Sequence, residues 1–96
     1  MDIKALFGQM DQAREKIEAV KKELDQLIVT KETGAGLVKV TVSGDKKLRA
    51  LSIDESLLNK ADKKMVEELI VGAANLALEE IDYKTQEVMQ QHAGLL

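Results

Sequence analysis

The residues from Val29 to Asp54, VTKETGAGLVKVTVSGDKKLRALSID, leave little freedom for the fold. Between Leu37 and Val42 the side chains alternate, with Val38, Val40 and Val42 on one face and Lys39 and Thr41 on the other. That is the pattern of a half-buried antiparallel strand. Gly34-Ala35-Gly36 supplies the left-handed positions of a three-residue hairpin before it, and Ser43-Gly44-Asp45 turns the chain into a further strand, Leu48 to Ile53. The segment predicts a three-stranded antiparallel meander with one face on a core.

Helices are expected on both sides of this meander. Ile3, Leu6, Met10, Ala13, Ile17, Val20, Leu24 and Leu27 are spaced alternately three and four apart, which makes a narrow heptad seam suited to packing on another helix. A second helix is predicted to start at Asp62 as N-cap, with a stripe of Val66, Ile70, Ala73, Ala77, Ile81, Thr85, Val88, His92 and Leu95. The architecture is therefore α+β: a long helix, a three-stranded antiparallel meander and a long helix. Helices of roughly 37 and 45 Å must overhang strands of only ~20 Å, and two antiparallel overhangs covering each other's seams would form a projecting arm. Met65 to Leu78 is apolar on nearly all sides, and a three-stranded sheet leaves an open edge. Both features predict a homodimer.

The 96 residues are read as a single domain, 1–96, with a modest core: one Phe, one Tyr and no Trp. With no cysteine, no apolar run long enough to span a bilayer and no signal-type N-terminus, the expected location is the cytoplasm, with no membrane partner. The net charge of −3 is uneven. Residues 2–26 carry five basic and six acidic side chains, residues 27–54 five and three, and residues 55–96 four and eight.

Chemistry of the enzymatic kind finds little support. His92 has no metal-spaced partners and reads as a polar helix-end residue, while Asp45, Asp54 and Glu55 read as turn and cap residues. No catalytic residue, cofactor, metal or small-molecule substrate is expected. The candidates that remain are cations for a nucleic-acid surface. Lys22 faces outward on the first helix, Lys46, Lys47 and Arg49 cluster on the second turn and third strand, and Lys63 and Lys64, with Lys60, surround the start of the second helix. None of these has an evident sequence-local partner. Arg14, Lys16 and Lys21 flank the heptad seam, where pairing with the acidic second helix competes with a DNA-binding role.

The strings TGAGLVKVTVSG at 33–44, IDESLL at 53–58 and DKKMVEELI at 62–70, together with Leu6-Phe7-Gly8 near the start, closely resemble the YbaB/EbfC family of nucleoid-associated proteins. The resemblance covers nearly the whole chain. It implies a tweezer-like homodimer with helical arms and non-enzymatic DNA binding in the bacterial nucleoid. Two departures stand out: Glu55 where the family often has proline, and an ending at Gly94-Leu95-Leu96 without the glycine-, proline- and methionine-containing tail. DNA is thus the expected partner, bound mainly through backbone phosphates. A protein-interaction or chaperone-like module with helical arms is the alternative, and its signature would be apolar residues exposed at the arm tips, such as Phe7, Leu95 and Leu96.

Overall fold

The computed structural model describes residues 2–94. It contains helix α1 (Ile3–Asp25), strands β1 (Ile28–Thr33), β2 (Val38–Ser43) and β3 (Leu48–Ile53), a single 3-10 turn (Glu55–Leu57) and helix α2 (Lys63–Gln91). The strands form one antiparallel sheet in the order β1-β2-β3, so the expected α+β meander between two long helices is the observed fold. Leu95 and Leu96 lie outside the described residues.

The first hairpin is one residue longer than the sequence suggested. Gly34, Ala35 and Gly36 all have positive φ (63, 56 and 89°), and Leu37 belongs to the turn, its N–H donating to Gly34 O at 3.2 Å. Leu37 is drawn into the connection by that bond, which closes a four-residue turn from Gly34 to Leu37. The second turn closes through Lys46, also left-handed (φ 62°), and β3 then bulges: Thr41 pairs with Ala50 but Val42 with Leu48, leaving Arg49 as the extra residue.

The core forms where α2 lies along β1 and β2. Val38, Val40 and Val42 are wholly buried against Ala73, Ala77 and Ile81, with Val29 and Leu57 closing the sides. Alanines at 73 and 77 let the helix approach the sheet closely. The stripe read from the sequence is the observed one from Val66 to His92. Strand β3 gains no such cover, and Leu48 and Leu51, which share the valine face of the sheet, remain about half exposed.

Asp62 does sit at the N-cap of α2, but its carboxylate makes no capping bond. It accepts instead from Asn59 Nδ2 at 2.7 Å, while its own N–H donates to Asn59 Oδ1 at 2.9 Å. The side chain of Asn59 thus takes up the chain-entry role.

The heptad seam of α1 is covered only at its C-terminal end. Val20 is buried and Leu24 and Leu27 half-buried, whereas Ile3, Leu6, Met10, Ala13 and Ile17 are exposed. This corrects the expectation of two helices covering each other's full seams. The reason is offset: α2 spends its first two-thirds on the sheet and passes α1 only with its last turns, where Val88 is buried and His92 Nε2 lies 3.1 Å from Glu23 Oε2. Beyond that point α1 runs on alone, and the molecule is 73 Å long but only 18 by 15 Å across.

Candidate nucleic-acid interface

The root of the arm is a tightly bonded turn. Ser43 is buried, and its hydroxyl donates to Asp45 Oδ1 while accepting from Arg49 Nε at 2.8 Å. Arg49 Nη2 reaches Asp45 Oδ2 at 2.8 Å, so the bulged arginine is gripped at two points. The hydrogen bond from Ser43 holds the Asp45 carboxyl below the usual carboxylate range; desolvation opposes this, and Arg49 and Lys47 reinforce it. Lys47 Nζ stands 4.0 Å from the same carboxylate, and Lys46 Nζ lies 3.1 Å from Asp82 on α2.

These pairs correct the reading that none of the second-turn cations has a sequence-local partner. Asp45 carries two of them, and tertiary folding brings Asp82 to the third. At the other end of α2, Lys63 is paired with Glu67 at 2.7 Å, one helical turn on, and the hydrogen bond to Glu67 raises the Lys63 pKa. The opposite correction applies to α1. Arg14, Lys16, Lys21 and Lys22 are all exposed and make no ion pair among the described residues, because the stretch of α2 that reaches α1, from Val88 to His92, carries no acid. Lys64 likewise has no ion pair there.

Position divides the candidates into two groups. Gly44 N–H donates to Leu27 O at 2.9 Å, which docks the second turn on the end of α1. Lys21 and Lys22, one turn back from there, therefore share the root of the arm with Lys46, Lys47 and Arg49, and Arg14 and Lys16 extend this group along the arm. Lys63 and Lys64 lie about 28 Å from Asp82 along α2, at ~1.5 Å per residue, and belong to the end of the molecule away from the arm. The cations of the arm do not make α1 a basic surface, since Asp11, Glu15, Glu18, Glu23 and Asp25 are exposed on the same helix and equal its five bases. Such a surface can grip a polyanion where its basic groups converge, with modest strength and strong salt dependence.

Sequence reasoning missed two contributors. Ser43 and Asp45 lock Arg49 in place, a role whose one sequence signal is the Asp45-to-Arg49 spacing of four across a turn. His92, expected to be a helix-end residue, does occupy the C-cap of α2 and also meets Glu23 on α1. Asp54 has the cap role expected of it, accepting from Ser56 N at 3.0 Å. No helix is long and apolar enough to cross a membrane among the described residues.

Comparison with known proteins gives a consistent picture. Residues 1–96 match the family model of the YbaB/EbfC DNA-binding family. A nucleoid-associated protein of Chlorobium luteolum is 40% identical over 89 residues, covering 93% of this chain and 80% of the relative. One from Pelodictyon phaeoclathratiforme is also 40% identical over 89 residues, covering 93% and 78%. The crystal structure of an uncharacterized protein from Helicobacter pylori superimposes with a TM-score of 0.77 at 25% identity, over 97% of this chain and 98% of that one.

Proposed function

We propose, from the premise that this chain belongs to the YbaB/EbfC DNA-binding family, that it is a non-enzymatic, nucleoid-associated protein that grips duplex DNA by its backbone phosphates as a homodimer. The observation that carries this reading is the set of cations on the arm, Arg14, Lys16, Lys21 and Lys22, exposed and unpaired within the described chain. Lysine and arginine side chains along one helix contact phosphates without reading bases, so affinity should fall steeply with salt and vary little with sequence. Lys46, Lys47 and Arg49 at the arm's root reinforce the field, although each must share its charge with Asp45 or Asp82. Lys63 and Lys64, at the far end, would join the same site only through a second copy.

The homodimer is supported by the uncovered flank beside β3. Leu48 and Leu51 are exposed there, beside the half-buried Ile53, while on α2 Ile70, Ala74 and Leu78 are only partly covered and Val71 is exposed. Two such flanks related by a two-fold axis would cover each other and β3's free edge. Sedimentation giving a dimer, together with fluorescence anisotropy on two duplexes of unrelated sequence, tests the reading. Similar affinities that weaken in parallel as salt rises support it; a monomer, or no binding at low salt, refutes it.

The protein-interaction alternative has one observation in its favour: Phe7 is 58% exposed on the arm, beside the bare seam of α1.

A further inference from the structure

The heptad seam continues past the end of α2. His92 closes α2 against Glu23, flanked by Lys16 and Ala19, and from there to the N-terminus α1 has no neighbour among the described residues. Ile3, Leu6, Phe7 and Met10 are 62, 44, 58 and 52% exposed. A three-and-four spacing serves a partner helix rather than solvent, because only a helix alongside buries every member of the row. The same row is buried where α2 accompanies it, at Val20.

We propose that this arm tip pairs antiparallel with the arm tip of a second copy of the chain, joining molecules arm to arm. The sequence of the tip is self-complementary in one register. Setting Leu6 opposite Met10 of the partner places Ile3 opposite Ala13, so these four seam residues of each copy cover one another. In that register one flank brings Asp2 to the partner's Lys16 and Lys16 to the partner's Asp2, while the other stacks Phe7 on its own counterpart. A parallel alignment would set Lys16 against the partner's Lys21, a like-charge contact that disfavours it. The antiparallel partner would occupy the stretch that α2 leaves bare and displace nothing already packed on the chain. The flanking ion pairs are exposed and serve register more than affinity.

The overlap, about 11 residues or ~16 Å of helix at 1.5 Å per residue, puts the contact in the weak class of interfaces, so association should depend on concentration. It does not depend on the DNA-binding reading, although Lys16 figures in both, and it is distinct from the flank beside β3. Leu51→Glu would strike the latter and Met10→Glu the former, so the two effects can be read separately.

The absence of cysteine from the chain allows a direct test. Leu6→Cys and Met10→Cys variants, mixed and oxidised at high protein concentration, should form the mixed disulfide in preference to either self-pair, with Gly8→Cys on the outer face as the background. By sedimentation, Met10→Glu should weaken concentration-dependent assembly by about tenfold or more, because a charge enters an apolar seam, while its circular dichroism stays that of the wild type. Asp2→Lys should weaken assembly too, and adding Lys16→Asp should restore it, although both variants lose the hydrogen bond from Lys4 N–H to Asp2. Self-pairs in place of the mixed disulfide, cross-linking no greater than Gly8→Cys, or assembly unchanged by Met10→Glu would overturn the proposal. So would suppression of a denatured client's aggregation by the tip without the mixed disulfide, since the seam would then serve foreign chains.

Discussion

Gly44 and Leu24 touch backbone to backbone where the arm leaves the sheet: a Cβ added to Gly44 would overlap the carbonyl oxygen of Leu24. The φ of Gly44 is not in the left-handed region, so what demands glycine is proximity. This close approach fixes the direction in which α1 projects, and with it the placement of the arm cations. Gly44→Ala should therefore cost about 2–4 kcal/mol or swing the arm off the second turn. Thermal unfolding gives the first and small-angle scattering the second. Gly72→Ala is the contrast. Its Cβ would meet only Thr33 Cγ2 at 3.5 Å, an ordinary approach, so this variant should gain up to about 1 kcal/mol from helix propensity.

The half-covered seam predicts a gradient along α1. Val20→Ala, at a buried site beside the end of α2, should cost about 1–2 kcal/mol, and Leu24→Ala, half-buried, a comparable amount. Ile17→Ala, 46% exposed, should cost less than about 1 kcal/mol. Chemical denaturation of the three variants at one protein concentration measures the order, and an Ile17 effect equal to that of Val20 would show α1 to be covered further out than the structure places it.

Acid should loosen the root of the arm. Asp45 is held below its ordinary value of 3.8 chiefly by the Ser43 hydroxyl. A depressed folded pKa means that the contribution is complete above the unfolded value and is lost as pH falls through the folded one, so the window lies below about pH 3.8. The Arg49 side-chain Nε–H resonance should shift in that window as its acceptors let go, and Asp45→Asn should remove the titration.

Much of the architecture was legible because short-range rules decide it. The valine alternation of β2 and the glycine turns specify a meander whichever helix covers it, and the stripe from Val66 to Val88 has enough small residues to name its own buried face. What the sequence concealed was offset between elements. Heptad spacing shows that Ile3 and Val20 belong to one seam but says nothing about where α2 stops, so cover was expected for both and only Val20 has it. The charges failed for the same reason: Lys46 meets Asp82 through the fold, and Arg14 and Lys21 miss the acids of α2 because the helices barely overlap. Only Lys63 and Glu67, one helical turn apart, and the trio of Asp45, Lys47 and Arg49 were within reach of local reasoning.

Salt-dependent binding of three proteins decides whether the unpaired cations of the arm hold the DNA phosphates, as proposed. The wild type, an Arg14, Lys21 and Lys22 to Ala variant, and a Lys60, Lys63 and Lys64 to Ala variant would be titrated against one duplex by fluorescence anisotropy over a series of salt concentrations. All should remain folded, since none of the arm residues makes an ion pair within the described chain and the one among the others, Lys63 with Glu67, is exposed. The arm variant is predicted to bind much more weakly, its plot of log affinity against log salt shallower by up to about 0.9 for each phosphate no longer neutralised, while the α2 variant keeps a slope close to that of the wild type. An arm variant with unchanged affinity and slope, or a weakening confined to the α2 variant, would show that the arm cations do not hold the DNA.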